Sequence, residues 1–366
     1  MPVRLKDIAR DLGVSVVTVS KVLRGNTDVG KETRNRVLRR MQELNYRPNM
    51  MARGLASGRT YTVGLVVPDL VQPYFAELAK SISGSLRKAN RALILASSED
   101  DPEIEHSEIR TLLSRGIDVL LIASCQQNLR NFYELGDQRT PYILVDRNVP
   151  HLAANFVGID DFRAGEMATE HLIESGKKRV AHIAGKEIQP SKERLRGYKS
   201  ALSNHRIKVP EDYVVLQDSL EQKGDIVGYR SMQRLLKLQN PPNAVFCYND
   251  QAAIGAMHAA FEAGLRIPED IAFVGCGNIG YTEYLRFPLT TIDQSVSELG
   301  RIAGELALSL DQDNTQPPRT ILLQPKLIAR NSTIRLPQVA TFGRPVKAGK
   351  RLVAGKVRGI QRKSLS

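Results

Sequence analysis

The stretch LKDIARDLGVSVVTVSKVL, Leu5 to Leu23, predicts two short helices joined by a glycine turn. Its first half carries apolar residues at the spacing of one helical face, namely Leu5, Ile8, Ala9 and Leu12. Gly13 suits the left-handed position that ends a helix, and Ser15 is a suitable N-cap for the next one. The second helix repeats the apolar spacing at Val19, Val22 and Leu23. This pattern is typical of a helix-turn-helix.

The same spacing turns another set of side chains outward at the start of the second helix: Val16, Val17, Ser20 and Lys21. A helix-turn-helix presents this end of its second helix to base edges in the major groove of DNA. A valine there packs against a thymine methyl group, and a lysine reaches guanine acceptors or a phosphate. We therefore predict that these four residues read bases. The alternative is that one of the two valines completes the core of the hairpin.

A third helix is predicted from about Lys31 to Asn45. Its apolar face consists of Val37, Met41 and Leu44. It also carries four arginines, Arg34, Arg36, Arg39 and Arg40, with no acidic residue between Glu32 and Glu43. We expect these arginines, together with Thr18, to contact DNA phosphates. The alternative is a solvated basic face.

The segment PNMMARGLASGRT, residues 48–60, follows the third helix and is either a plain linker or a short hinge helix. As a helix it would present Ala52, Arg53, Leu55 and Ala56 to the minor groove. Leu55 is its one large branched apolar side chain, and such side chains insert between base steps and kink the duplex. Gly54 and Gly58 weaken this helix, so it needs a partner to form.

From Thr60 the pattern changes to short apolar runs that alternate with helical stretches of about 10 to 16 residues, as parallel βαβ units require. The runs include TVGLVV, IDVLLIAS, NAVFCYND and, near the end, ILLQPKLIAR. About ten strands are too many for one sheet of this kind. We therefore expect an all-α helix-turn-helix head followed by an α/β body of two doubly wound parallel-sheet lobes.

The net charge of +13 is concentrated at the two ends of the chain. The first 60 residues carry +8 and residues 331–366 carry +9 with no acidic residue, so the body between them is mildly acidic. This asymmetry predicts a polyanion partner at the ends, although solubility alone is the alternative, above all for the tail. The tail has no amphipathic period, and we predict that it is flexible and adds non-specific phosphate contacts.

Several classes of protein are not indicated by the sequence. No run of about 18 uncharged apolar residues predicts a membrane span, and the charged first residues do not resemble a signal peptide. Cys125, Cys247 and Cys276 are too widely spaced to suggest a disulfide framework or a metal site. No Walker, nucleophile-elbow or HExxH motif is present. We expect a cytoplasmic protein that is not an enzyme and needs no cofactor or metal.

Several motifs in order bring a family resemblance: LKDIARDLGVSVVTVSKVL, ETRNRVLRRMQELNYRPNMMARGL, TVGLVVPDLVQPYFAEL, GIDVLLIAS, RLRGYKSAL, AVFCYNDQAAIGAM and LTTIDQ. Together they resemble the LacI/GalR family of bacterial transcription regulators over residues 3–333. The resemblance implies a homodimer, sometimes a tetramer, that binds a pseudo-palindromic double-stranded DNA operator as a repressor. It implies a hinge leucine, matched here by Leu55, and a small-molecule effector cleft between two lobes similar to periplasmic binding proteins.

The resemblance also suggests domain boundaries. We expect a head over 1–47, a hinge over 48–60, a body over 61–333 and a basic tail over 334–366. The first lobe would take about 61–160 and 294–323, and the second about 161–291 and 325–333.

Cleft residues follow from the motifs, and most of them lie where parallel strands end and such folds bind ligands. They are Tyr74, Phe75, Asp146, Arg147, Asp160, Arg194, Asn249, Asp250, Gly277 and Gln294. For Asp146 and Asp160, a role in capping helices or holding lobe crossovers is the alternative. Gly277 stands where many relatives have an aspartate that contacts the ligand. This departure leaves open a different sugar, an anionic ligand held by Arg147 and Arg194, or no small effector. The competing function is a weakly specific architectural DNA-binding protein without an effector.

Overall fold

The computed structural model describes residues 3–23, 25–46, 58–126, 132, 135, 140–217, 224–313 and 315–334 of the 366-residue chain. The head consists of α1 (Leu5–Leu12), α2 (Val16–Leu23) and α3 (Lys31–Glu43). Gly13 ends α1 in the left-handed conformation with φ 65°, where an L side chain would be strained. The Ser15 Oγ accepts the backbone N–H of Thr18 at 3.0 Å and so caps α2.

The core of the head lies where the apolar faces of the three helices meet. Its buried members are Ile8, Ala9, Val19, Val22, Val37 and Met41. The third helix ends at Glu43, two residues before the predicted end, because Asn45 takes a left-handed conformation with φ 46°.

The body alternates strands and helices in the following order. From its start to the middle come β1 (Thr62–Val67), α4 (Pro73–Lys88), β2 (Ala92–Ser97), α5 (Pro102–Ser114), β3 (Val119–Ile122), β4 (Tyr142–Val145), β5 (Asn155–Ile159), α6 (Asp161–Glu174), β6 (Val180–Ile183) and α7 (Gln189–Asn204). Then come β7 (Val214–Val215), α8 (Gly224–Leu236), β8 (Ala244–Cys247), α9 (Asp250–Glu262), β9 (Ala272–Cys276), β10 (Thr290–Asp293), α10 (Val296–Gln312), β11 (Thr320–Leu323) and β12 (Lys326–Ile328).

Two six-stranded sheets form the body, one in each lobe. The first lobe has the strand order β11-β5-β4-β3-β1-β2, and the second has β12-β10-β9-β8-β6-β7. All described pairings are parallel except β10 with β12. The chain passes between the sheets after Ile159, after Asp293 and after Leu323. The predicted fold class, a helical head on two doubly wound α/β lobes, is confirmed.

One predicted strand run is divided in the structure. The run ILLQPKLIAR contributes β11 to the first sheet and β12 to the second, so the described strands number twelve and not about ten. Pro325 lies between the two strands, and a proline has no backbone N–H for a sheet.

The two helices that frame the cleft from the second lobe are in backbone contact. A Cβ on Gly165 of α6 would lie 2.1 Å from the carbonyl oxygen of Arg194, and one on Gly197 of α7 would lie 2.1 Å from that of Phe162. Only glycine permits this approach at either position. The approach brings the start of α6, with Asp161, beside Arg194 of α7.

Among the residues that the structure describes, no helix is long and apolar enough to cross a membrane.

Candidate functional site

The front of α2 carries an exposed valine pair. Val16 is 45% exposed and Val17 is 60% exposed, whereas Val19, one turn further along the same helix, is completely buried. Neither Val16 nor Val17 belongs to the core of the head, and the interpretation that one of them completes it is not supported. Apolar side chains in this position are free to pack on a partner such as thymine methyl groups. Ser20 lies partly exposed on the same helix.

Lys21 and three of the four arginines are engaged within the head. Lys21 forms an ion pair with Asp28 at 2.5 Å. Arg34 and Arg36 donate to the backbone carbonyls of Asn26 and Leu12. These bonds hold cationic side chains against α1 and against the loop between α2 and α3. Thr18 donates its backbone N–H to Ser15 at the start of α2.

Arg40 is held by acidic residues on both sides. Its guanidinium contacts Asp11 at 2.6 Å and Glu43 at 3.0 Å. Asp11 lies on α1, so counting acidic residues along α3 alone missed it. Arg39 is exposed and has no ion pair with any described residue. The predicted phosphate contacts of these arginines stay predictions.

The predicted hinge residues Ala52, Arg53, Leu55 and Ala56 lie outside the described residues, and so does the tail beyond Ile334.

A cleft of about 110 Å³ lies between the lobes, where the carboxyl ends of strands from both sheets meet. Nine of the ten predicted cleft residues line it: Tyr74, Phe75, Asp146, Arg147, Arg194, Asn249, Asp250, Gly277 and Gln294. Asp160 does not line this cleft. Its carboxylate accepts the backbone N–H of Arg163 at 2.9 Å and caps α6, as the alternative interpretation had it.

Arg194 is a buried cation whose donors are largely taken by its own chain. It contacts Asp161 at 2.7 Å, the carbonyl of Tyr248 at 2.7 Å and the side-chain oxygen of Gln294 at 3.3 Å. The predicted ligand anchor is therefore fixed in position by α6 and by the ends of β8 and β10.

Tyr74 and Asp146 form a donor–acceptor pair on the first-lobe side of the cleft. The Tyr74 hydroxyl donates to the Asp146 carboxylate at 2.5 Å. Burial, reinforced by Asp146, raises the pKa of Tyr74 well above its ordinary value, so the phenol stays a donor at neutral pH. Asp146 has φ 66°, a left-handed conformation that is uncommon for this residue and occurs at functional sites.

Asp250 lies beside Gly277, which follows β9. Its carboxylate accepts the Thr291 hydroxyl at 2.5 Å and the Ile279 backbone N–H at 2.9 Å. Burial raises its pKa to about 6, although both hydrogen bonds oppose the shift. Gly277 has φ 138°, and a Cβ there would lie 3.2 Å from the carboxylate of Asp250. A side chain at Gly277 would be strained and crowded against this acid.

Two charged cleft residues were missed by the sequence reasoning, Asp100 and Lys186. Asp100 contacts Arg147 at 2.6 Å and Lys186 at 2.6 Å. Burial opposes the ionisation of Asp100, but the two cations outweigh it and lower the pKa of its carboxyl group. Asp100 follows β2 and Lys186 follows β6, so the rule that strand ends open into the cleft would have found both.

The described part of the chain holds no cluster of three or more potential metal ligands. All three cysteines, Cys125, Cys247 and Cys276, are buried, and burial raises the pKa of the Cys276 thiol beside the cleft to about 12. This thiol stays protonated at neutral pH, which agrees with a structural cysteine.

Comparisons with known proteins match both parts of the chain. The family model for bacterial regulatory proteins of the lacI family matches residues 4–49, and that for a periplasmic binding protein-like domain matches residues 169–333. Catabolite control protein A of Staphylococcus epidermidis is 32% identical, over 91% of this chain and all of the relative. The ribose operon repressor of Haemophilus influenzae is 33% identical, over 91% of this chain and 99% of the relative.

A similar solved structure is that of the lac repressor dimer bound to operator and an anti-inducer. It has a TM-score of 0.81 and 26% identity, and the match covers 92% of this chain and all of the other. These matches define a DNA-binding transcription regulator with a periplasmic-binding-protein-like body. The chain belongs to the lacI family of bacterial regulatory proteins. The predictions of this family, and of a regulator that is not an enzyme, are confirmed.

Proposed function

We propose that the protein is a dimeric repressor that binds a pseudo-palindromic operator and responds to a small molecule in the cleft between its lobes. The observation that carries the DNA-reading part is the contrast on α2, where Val16 and Val17 are exposed while Val19 is buried. An exposed apolar pair at the front of this helix has a use in the major groove and none in the head itself.

The base contacts come from Val16, Val17, Ser20 and Lys21. Thr18 and the arginines of α3 contact phosphates. To reach DNA, Lys21, Arg34 and Arg40 give up the hydrogen bonds and ion pairs that they form within the head. The hinge wedge is Leu55, flanked by Ala52, Arg53 and Ala56. In this division the head spans 1–47, the hinge 48–60, the body 61–333 and the basic tail 334–366.

The cleft is the effector site. It joins both lobes, and its polar lining groups come from the ends of strands in both sheets. A ligand that contacts both lobes binds one lobe arrangement more tightly than another and so shifts the equilibrium between them. The similar lac repressor structure, a dimer that holds both operator and anti-inducer, supports this arrangement. Effector binding at the cleft then changes the affinity of the head for the operator, and operator binding changes the affinity for the effector by the same factor.

Selection of bound sequences from a random duplex library tests the proposal. We expect an enriched pseudo-palindrome with a flexible pyrimidine–purine step at its centre, where Leu55 inserts. The matched control is the Val16→Ala, Val17→Ala double variant, which should lose the half-site consensus while its head stays folded.

The basic tail favours a second candidate, a weakly specific architectural DNA-binding protein. Residues 331–366 carry nine cationic residues and no acidic one. Tight binding in the same selection without an enriched sequence would support this candidate and reject a specific repressor. Deletion of residues 335–366 in parallel would show how much of the affinity is the non-specific contribution of the tail.

A further inference from the structure

One carboxylate joins the two lobes at the cleft. Asp100 lies between β2 and α5 of the first lobe, and its two oxygens contact different cations. The Oδ1 atom lies 2.6 Å from the Nη1 atom of Arg147, which follows β4 of the same lobe. The Oδ2 atom lies 2.6 Å from the Nζ atom of Lys186, which follows β6 of the second lobe. All three side chains line the cleft.

Arg147 has a polar atom that this arrangement does not satisfy. The residue is only 8% exposed, and its Nε atom is buried with no hydrogen-bond partner among the described residues. Its Nη1 atom contacts Asp100 and, at 3.5 Å, the carbonyl of Ser124. The Nε–H of a guanidinium forms one edge with Nη2, and Asp100 contacts Nη1, so this Nε–H is not used by the ion pair. Leaving a buried donor unsatisfied is costly, so this N–H needs a partner that the described residues do not supply, such as a water, an ion or a ligand group.

We propose that Arg147 and Lys186 form an anion-binding site that spans the two lobes, and that Asp100 occupies it when no ligand is bound. This inference rests on the proposed function, because it specifies the effector of the same cleft. The effector is then a small molecule with a phosphate or carboxylate group. Its anionic group takes the place of Asp100 between the Nη1 atom of Arg147 and the Nζ atom of Lys186.

The rest of the cleft agrees with an effector of this class. Its other end offers Asp146, Asp250 and the internally paired Arg194, groups that bind hydroxyls and not a second anion. A neutral molecule has no group that competes with Asp100 for two cations, whereas a phosphate or carboxylate competes on equal terms. Because one cation belongs to each lobe, the bound anion also sets how closely the lobes approach.

Isothermal titration of the full chain with simple anions tests the site, with inorganic phosphate and acetate as probes and glycerol as the neutral control. The variant Asp100→Asn removes the internal competitor. We expect it to bind phosphate, acetate or both with one site per chain and at least tenfold more tightly than the unmodified protein. The double variant Asp100→Asn, Lys186→Gln should lose this binding at least tenfold. The anion that binds tells a phosphate-bearing effector from a carboxylate-bearing one.

Matched controls separate the site from general charge effects. Glu99→Gln removes the same charge from the neighbouring exposed residue, and Lys192→Gln removes an exposed cation of α7. Neither should change anion binding. The inference is overturned if Asp100→Asn binds neither anion, or if Glu99→Gln or Lys192→Gln has the same effect as the cleft variants. Thermal unfolding of each variant confirms that it is folded.

DNA selection with the Asp100→Asn variant distinguishes this inference from the proposed function. An enriched operator together with no saturable anion binding rejects the anion site alone. If the unmodified protein enriches no sequence in the DNA selection, the proposed function itself is rejected.

Discussion

Two arginine–aspartate ion pairs, one in the head and one in the cleft, have nearly the same length but different surroundings. Arg40 and Asp11 lie 2.6 Å apart, with side chains that are 34% and 30% exposed. Arg194 and Asp161 lie 2.7 Å apart, with side chains that are 8% and 10% exposed. Water screens the first pair, so a phosphate can replace its acid at small cost. The second pair is desolvated, so the loss of either partner leaves a buried charge.

The largest effect should come from breaking the buried pair. Arg194→Gln should lower the free energy of unfolding by about 3 to 5 kcal/mol, because Asp161 would stay buried without its cation. Urea unfolding of the full chain measures this change. The control Arg196→Gln removes an exposed arginine of the same helix, paired with Glu193, and should leave the unfolding midpoint nearly unchanged. Equal midpoints for the two variants would show that burial does not distinguish them.

A buried histidine makes the stability of the fold depend on pH. His182 stacks between Tyr198 and Phe246, and burial lowers its pKa to about 4, against 6.5 for an exposed histidine. Between pH 6.5 and pH 4 the imidazole of His182 is protonated in the unfolded chain but not in the folded chain. Its contribution to the free energy of unfolding is therefore fully present near pH 7 and is lost as the pH falls. From pH 6.5 to 4.5 the loss should be about 2 kcal/mol.

The variant His182→Phe should remove this part of the pH dependence, whatever its own stability at pH 6.5. Unfolding at both pH values, with the exposed His205→Gln as control, measures the difference. A pH dependence in His182→Phe as steep as in the unmodified protein would contradict the assignment to His182.

Two valines on α2 show the same contrast between a buried and an exposed side chain within the head. Val19→Ala should destabilise the head by about 2 kcal/mol, because it leaves a cavity in the core. Val17→Ala should leave stability unchanged and weaken operator binding by about 1 kcal/mol, since two methyl groups no longer pack against bases. Thermal unfolding and binding titrations separate the two effects. Weaker binding of unrelated DNA by Val17→Ala to the same extent would argue against base reading.

The smallest effect concerns neighbouring arginines of α3. If Arg39 contacts one phosphate, Arg39→Gln should reduce the slope of log affinity against log salt concentration by about 0.9. Arg40→Gln should reduce it less, because Arg40 must first leave Asp11 and Glu43. Binding titrations at four salt concentrations measure both slopes. A larger reduction for Arg40→Gln would show that its internal ion pairs exchange freely for DNA.

Much of the fold was predictable because its signals are local. The helix ends at Gly13 and Ser15 depend on neighbouring residues, and the exposed positions of Val16 and Val17 follow from helical period alone. The division of ILLQPKLIAR into two strands was less visible, because an apolar run does not say which sheet each half joins. Nine of ten predicted cleft residues line the cleft, since motif and strand end coincide there.

By itself, the sequence determined the helix-turn-helix head, the alternation of strands and helices, the basic ends and the family, because these depend on spacing along the chain. Only the tertiary structure decided which partner each charge has. Asp11 meets Arg40 from another helix, and Asp100 meets Arg147 from 47 residues away. Asp160 caps a helix instead of lining the cleft, and Asp100 joins the two lobes. Electrostatic pairing depends on distance and burial in space, and neither quantity can be read from the order of residues.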